Sequence, residues 1–241
     1  MKILGISLVK NEDLYIKQAV ENILDFCDEI IILDNYSTDN TWNIISDLSS
    51  QHNHLTSLRW ENPMDSGKVL NPYIGEDYWV FGVDGDEIYD KEGLSVLRSQ
   101  LLSNVYDDTY CLKGHCLHCN SINFNSGVAE GWDCPPSRTI TKLYNFSLIE
   151  SYQQNERLHG SCTLKEGYSS IPLNLTDETE WSASPLRCLH AAFVSRSSLD
   201  SSRDPRIPPN GNLPFKLEKY RKGPIVSRSI FPFYETIHKS S

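Results

Sequence analysis

The sequence predicts an α/β fold: a doubly wound, mostly parallel sheet in the first hundred residues, followed by an irregular second half. Three observations carry that expectation. Short apolar runs suited to buried strands alternate with segments whose apolar residues recur at helical spacing. Polar clusters follow the ends of three of the strand-like runs, and after about residue 105 the regular alternation weakens. Strands alternating with helices imply parallel pairing through right-handed crossovers. In such sheets ligands bind beyond the carboxyl ends of the strands.

Ile3 to Val9 form an almost continuous apolar run, as expected of a strand covered on both faces. Polar Lys10 to Asp13 follow, and then Leu14, Ile16, Ala19, Val20, Ile23, Leu24 and Cys27 recur at helical spacing. Glu29 to Leu33 predict a second buried strand. It ends at Asp34-Asn35-Tyr36-Ser37-Thr38-Asp39, a turn rich in helix-capping residues. Trp42, Ile44, Ile45 and Leu48 predict the next helix. A third strand is expected over Leu55 to Trp60. A fourth, Tyr78 to Val83, runs directly into Asp84-Gly85-Asp86-Glu87, and Lys91 to Leu102 predict another helix. The polar clusters at 10–13, 34–39 and 84–87 therefore fall at one edge of the sheet. Later strands are expected over Tyr110 to Cys119, Arg138 to Tyr144 and Leu186 to Val194, with Pro135-Pro136 and Pro208-Pro209 marking loops.

With 241 residues and no internal repeat or obvious linker, the chain reads as a single domain over 1–241, divided into halves 1–104 and 105–241. A net charge of −10 argues against a general nucleic-acid binder, which needs clustered Lys and Arg. The apolar N-terminus is too short for a signal peptide and leads into Lys10-Asn11-Glu12-Asp13 instead of a small-residue cleavage site. No stretch reaches the roughly 20 apolar residues that cross a bilayer. Seven cysteines, an odd number without an export signal, predict reduced thiols in a cytoplasmic protein.

Asp84-Gly85-Asp86 places two carboxylates two residues apart at the end of a buried strand. Carboxylate oxygens suit Mg²⁺ or Mn²⁺, which complete their shells with phosphate and water. A cation there would neutralise charge developing on a departing diphosphate. The glycine permits a tight turn and leaves space for a ligand. The same tripeptide also suits an ordinary surface turn, but its place beside two other polar strand ends favours chemistry. Asp34 is placed to accept from a base N–H or a ribose hydroxyl, with Ser37 and Asp39 the better helix-cap candidates. Glu12 equally suits the first turn of a helix.

The segments Ile6-Ser7-Leu8-Val9-Lys10-Asn11-Glu12, Ile30-Ile31-Ile32-Leu33-Asp34-Asn35-Tyr36-Ser37-Thr38-Asp39-Asn40-Thr41 and Trp79-Val80-Phe81-Gly82-Val83-Asp84-Gly85-Asp86-Glu87, in that order and spacing, closely resemble the family 2 glycosyltransferases over roughly residues 1–104. The resemblance implies a GT-A fold, a nucleoside-diphosphate sugar (UDP by default), Mn²⁺ or Mg²⁺, inversion at the anomeric carbon, and a glycan, lipid or protein acceptor. It places Asn11, Glu12 and Asp34 at the nucleoside, Asp84 near ribose and metal, and Asp86 as the direct metal ligand. Lys68, in Ser66-Gly67-Lys68, falls where many members carry a basic residue near the nucleotide.

In the second half, Thr141-Lys142-Leu143-Tyr144-Asn145 resembles the strand before the acceptor loop. Members often follow it with His-Glu, whereas this chain has Leu158-His159-Gly160, so the general base departs from the family pattern. An inverting transfer needs a base opposite the leaving group and within reach of the attacking oxygen. Glu156 and His159 are the leading candidates, with Asp133 and Glu130 behind them. His190 resembles a late histidine that some members use as a third metal ligand, and it equally suits a core histidine.

Cys111, His115, Cys116, His118 and Cys119, with Cys134 and Cys162 as further partners, suggest a zinc constellation, but the second matched pair is missing and alternating burial along a strand explains the thiols equally well. The segment from Lys216 to Arg228 is basic and Phe231, Phe233 and Tyr234 follow. A solvated tail is expected there, with membrane contact at most peripheral. Two rival functions remain. A sugar nucleotidyltransferase should show a glycine-rich loop after the first strand, and Lys10-Asn11-Glu12-Asp13 has no glycine. A catalytically degenerate carbohydrate- or nucleotide-binding module would bind without turnover.

Overall fold

A computed structural model describes residues 1–133, 140–153, 155–200 and 225–231. Within the parallel part of the sheet, β1 (Lys2–Val9) has β2 (Glu29–Asp34) and then β3 (Leu55–Arg59) parallel on one side and β4 (Tyr78–Gly82) parallel on the other. The register sets Val9 opposite Asp34 and Ile6 opposite Gly82, so the carboxyl ends of these strands open onto one edge. Alternation along β1 sends Ile3 and Val9 to one apolar cluster, beneath the helices, and Leu4 and Ile6 to another on the opposite face. Each such fully buried side chain contributes about 1.5–3 kcal/mol over leaving it exposed.

The helix expected between Leu14 and Cys27 is shorter than its apolar spacing suggests. Only Ile16–Glu21 is regular (α1), and tight turns continue through Phe26 and Cys27. Asn22, a poor helix former, turns its side chain to the carbonyl of Tyr89 at 3.2 Å. The buried face persists through the turns, since Ile23, Phe26 and Cys27 are all in the core. Helix α2 (Thr41–Gln51) starts after Asn40, and Asp39 Oδ1 accepts from the Thr41 N–H at 2.9 Å. Helix α3 spans Lys91–Leu102 as expected, and its N-cap is Asp90, whose side chain accepts from the Glu92 N–H.

Two elements of this half carry no periodic signal. Pro63–Tyr73 is a 3₁₀ stretch, and β5 (Glu87–Tyr89) follows the acidic turn directly. The second half then extends the same sheet: β6 (Cys111–Asn123), β7 (Val128–Asp133) and β8 (Ile140–Asn145) are antiparallel neighbours, and β8 pairs with β4. A separate hairpin joins β9 (Ile149–Gln153) to β10 (Ser161–Leu164). Short β11 (Leu173–Asn174) lies parallel to β6, and β12 (Arg187–His190) is inserted between β5 and β6. Strand β13 (Val226–Ser229) closes the far edge against β7. The sheet is thus parallel on the N-terminal side and mixed beyond it.

The expected solvated tail is corrected in part. Arg228 sits over the Trp181 ring at 5.3 Å and Phe231 is buried and stacked on Trp181, because β13 ties this segment to the sheet. Lys216 to Lys222, Phe233 and Tyr234, with Cys134 and both proline pairs, lie outside the described residues.

Candidate active site

At the carboxyl edge of the parallel strands is a cavity of ≈400 Å³ whose walls include Glu12, Asn35, Asp84, Asp86, Glu156 and Arg157. Asp84 and Asp86 arrive from the end of β4. The turn is fixed by Glu87, fully buried, whose Oε2 accepts from the Asp84 N–H at 3.0 Å and from the Tyr89 hydroxyl at 3.1 Å. His190 arrives from β12. Since His190 is opposite Glu87 in the β12–β5 register, its Nε2 lies 3.5 Å from Asp86 Oδ1. Ligand atoms of Asp84, Asp86 and His190 all lie within 4.8 Å of one another, an oxygen-rich set with one imidazole that fits Mn²⁺ or Mg²⁺.

The site is rich in buried acids. Glu12 is 5 % exposed and Asp86 1 %. Burial, with the charge of Asp86 next in weight, pushes the Glu12 carboxyl well above the usual range. Two arginines counter the acids. Arg196 Nη1 reaches Glu12 Oε1 at 2.8 Å and Asp86 Oδ2 at 3.7 Å, and Arg157 is paired with Asp84. Burial opposes the Arg157 charge most strongly, but Asp84, Glu87 and Glu156 together outweigh it and hold the guanidinium protonated.

Neither arginine is placed by anything local in sequence. Arg157 rides on a loop seated against the 3₁₀ stretch: its N–H donates to Ser66 Oγ at 3.0 Å, and the Gly67 N–H donates to the Asn155 carbonyl at 2.9 Å. A Cβ on Gly67 would lie 2.6 Å from that carbonyl oxygen, so the contact needs glycine. Arg196 belongs to a strap whose Ser197 Oγ donates to Asp39 at 2.6 Å and whose Ser198 N–H donates to Asp13 at 2.7 Å.

The remaining sequence candidates are placed as follows. Lys68 is exposed and paired with Asp65 at 2.7 Å, so the Ser66-Gly67-Lys68 segment bears on the cavity through Ser66 and Gly67. Asp34 is fully buried, engaged by Arg59 and by the Ser37 N–H at 3.0 Å, with Arg59 lying over the Trp42 ring. Asn11, at φ 55°, staples the neighbouring turn by accepting from the Thr38 N–H at 2.8 Å. Glu156 lines the cavity, whereas His159 is largely exposed, 4.0 Å from Glu156. Glu130 bonds to Ser227 on the far edge, and the Asp133 side chain is outside the described residues.

The expected cysteine–histidine constellation divides. Cys162 lies against the Tyr110 hydroxyl, the His115 ring meets the Thr179 carbonyl at 2.8 Å, and Cys119 faces the Leu117 carbonyl. All six described cysteines are thiols.

Fold and site together define an α/β protein with an acidic, cation-competent cleft at the edge of its parallel strands. Residues 6–118, a little under half of the chain, match the family model described as glycosyl transferase family 2. It is 31 % identical over 85 residues to the SPbeta prophage-derived glycosyltransferase SunS of Bacillus subtilis (strain 168) and, equally, to glycosyltransferase SunS of Bacillus phage SPbeta. That match spans 35 % of this chain and 20 % of the relative. Among solved structures, S. aureus TarS 1-349 is 21 % identical, covers 61 % of this chain and 48 % of its own, and superposes with a TM-score of 0.43. A mannosyltransferase from Pyrobaculum calidifontis, solved with GDP-Man and Mn²⁺, gives 16 % identity, 48 % and 35 % coverage and a TM-score of 0.38. Among the described residues, no helix is long and apolar enough to cross a membrane.

Proposed function

We propose that this chain is a metal-dependent glycosyltransferase that moves a sugar from a nucleoside diphosphate to a hydroxyl of a glycan, lipid or protein acceptor, with inversion and in the cytoplasm. The observation that carries the reading is the pair Asp84 and Asp86 on one cavity at the carboxyl edge, with His190 within ligand distance of both and Arg157 and Arg196 lining the same cavity. Several acids at partly buried positions are mutually destabilising unless positive charge joins them. Asp84, Asp86 and His190 would hold Mn²⁺ or Mg²⁺, which when bound supplies Lewis-acid stabilisation of the diphosphate leaving group.

The chain's own groups do the remainder. Arg157 and Arg196 supply planar guanidinium donors that match phosphate oxygens, so their present carboxylate partners would be exchanged for the donor's diphosphate. Asn35 and Glu12 face the same cavity from the ends of β2 and β1 and would contact the nucleoside side. Glu156 is the favoured general base, because it lines the cavity while His159 stands outside it; it would take the acceptor hydroxyl proton as the sugar carbon is attacked.

A thermal-shift screen with UDP, GDP, dTDP and CMP donors, with and without Mn²⁺, tests the reading, since a ligand that binds only the native state raises apparent stability. A shift with one nucleotide that needs Mn²⁺ and disappears in Asp86→Ala is the expected result. Unchanged donor binding and turnover in Asp86→Ala overturns the proposed site.

A further inference from the structure

The tripeptide Cys-Leu-His occurs twice in the chain, as Cys116-Leu117-His118 and Cys188-Leu189-His190. The fold lays the two copies side by side, since β12 runs parallel to β6 with Cys188 opposite Cys116 and His190 opposite His118. Side chains alternate along a strand, so the cysteines and histidines share one face and the leucines the other. Packing agrees: Leu117 and Leu189 sit in one apolar cluster, Cys116 and Cys188 in a different one. His118 Nδ1 lies 3.9 Å from Cys116 Sγ and 3.1 Å from His190 Nδ1. The ligand atoms of Cys116, His118 and His190 all fall within 4.8 Å of one another. A tetrahedral zinc, with Zn–N about 2.0–2.1 Å and Zn–S about 2.3 Å, needs ligand separations of roughly 3.3–3.6 Å, so small adjustments suffice.

We propose that Cys116, His118 and His190 form a binding site for a thiophilic divalent cation, zinc above all, separate from the carboxylate pair Asp84 and Asp86. Sulfur and imidazole select zinc over the harder cations that carboxylates prefer. Cys116 and His118 are each 2 % exposed, and His190, at 13 %, forms the side by which an ion enters from beside Asp86. Binding converts the Cys116 thiol to a thiolate and releases its proton to solvent. Water fills the fourth position.

The geometry links this site to the cleft. The two ring nitrogens of His190 point at different partners, Nδ1 at His118 and Nε2 at Asp86. Zinc on Nδ1 leaves the ring proton on Nε2, which then donates toward Asp86 and no longer serves as a ligand for a cation held by the carboxylates. The zinc site itself does not depend on the transferase reading, and its test needs no turnover.

The full chain, reduced and metal-free, is titrated with Co²⁺ as a spectroscopic substitute for Zn²⁺. A thiolate-to-cobalt charge-transfer absorption together with strong tetrahedral visible bands is expected, both abolished by added Zn²⁺. Cys116→Ser and His190→Ala should each remove the absorption or weaken binding by more than about tenfold, while Cys119→Ser, whose thiol faces the other way, keeps it. His190→Ala alters the more exposed ligand, so the test survives poor folding of Cys116→Ser. No charge-transfer absorption in the unmodified chain, or one that persists in both Cys116→Ser and His190→Ala, overturns the proposal.

Discussion

Gly85 shows how tightly the acidic turn is built. A Cβ there would lie 2.1 Å from Glu12 Oε2 and 2.9 Å from both Ile16 Cδ1 and Val9 Cγ1. The tripeptide therefore needs glycine to bring β1 and α1 against the carboxylates, a reason beyond the freedom of its backbone. Gly85→Ala should cost about 1–3 kcal/mol of stability through overpacking, read by chemical denaturation, and should displace Glu12 enough to weaken donor binding. A variant with unchanged stability would show that Glu12 moves aside without cost. At the same scale, Lys68 is exposed and paired with Asp65. Arg157 lines the cavity, and the Ser66-Gly67 pair beside Lys68 provides its seat.

At the scale of elements, the amino ends of three parallel strands are tied by one polar knot. Glu29, opening β2, accepts from the Tyr78 hydroxyl at the start of β4 at 2.7 Å, from Tyr73 at 3.1 Å, and from Lys2 of β1 at 3.2 Å. The Tyr78 hydrogen bond, helped by Lys2 and Tyr73 against partial burial, holds the Glu29 carboxyl below its ordinary range. Because the folded value lies below the unfolded one (about 4.3), this contribution is fully present above that value and is lost as pH falls through the folded one. Tyr78→Phe should cost about 0.5–1 kcal/mol at neutral pH, allowing for solvent exposure, and progressively less in acid. Denaturation at a series of pH values checks it, and a penalty that does not change with pH would remove Glu29 from the explanation.

At the scale of the whole molecule, the late strap bearing Arg196 folds back on the first loops. Arg196 bonds Glu12, 184 residues earlier, while Ser197 and Ser198 hold Asp39 and Asp13. In the absence of added cation, Arg196→Ala should destabilise by about 1–3 kcal/mol at neutral pH, because the buried acids Glu12 and Asp86 lose the guanidinium they share. The folded Glu12 value lies above the unfolded one, so its charge is tolerated least as pH rises through the folded value. The Arg196→Ala penalty should therefore grow with pH across that window. Adding Glu12→Gln should recover part of it, and a double variant no better than the single one would show that Glu12 is not the partner whose loss sets the penalty.

Local patterning in the sequence determined the parallel half. Apolar runs, helical spacing and polar strand ends specify β1 to β4 with α2 and α3, and parallel connection then forces 10–13, 34–39 and 84–87 onto one edge. Asp84 and Asp86 were legible for that reason, since their place follows from a single strand end. His190 was named only through a family resemblance, and Arg157 and Arg196 not at all. Their positions come from β12 lying between β5 and β6, from a loop seated on Ser66 and Gly67, and from a strap crossing to Asp13 and Asp39. The two Cys-Leu-His copies are likewise 72 residues apart, and their pairing is set by the β12–β6 register. Periodicity reports whether a residue faces a core within its own element. Which distant element supplies that core, or completes a site beside it, is settled by packing of the folded sheet.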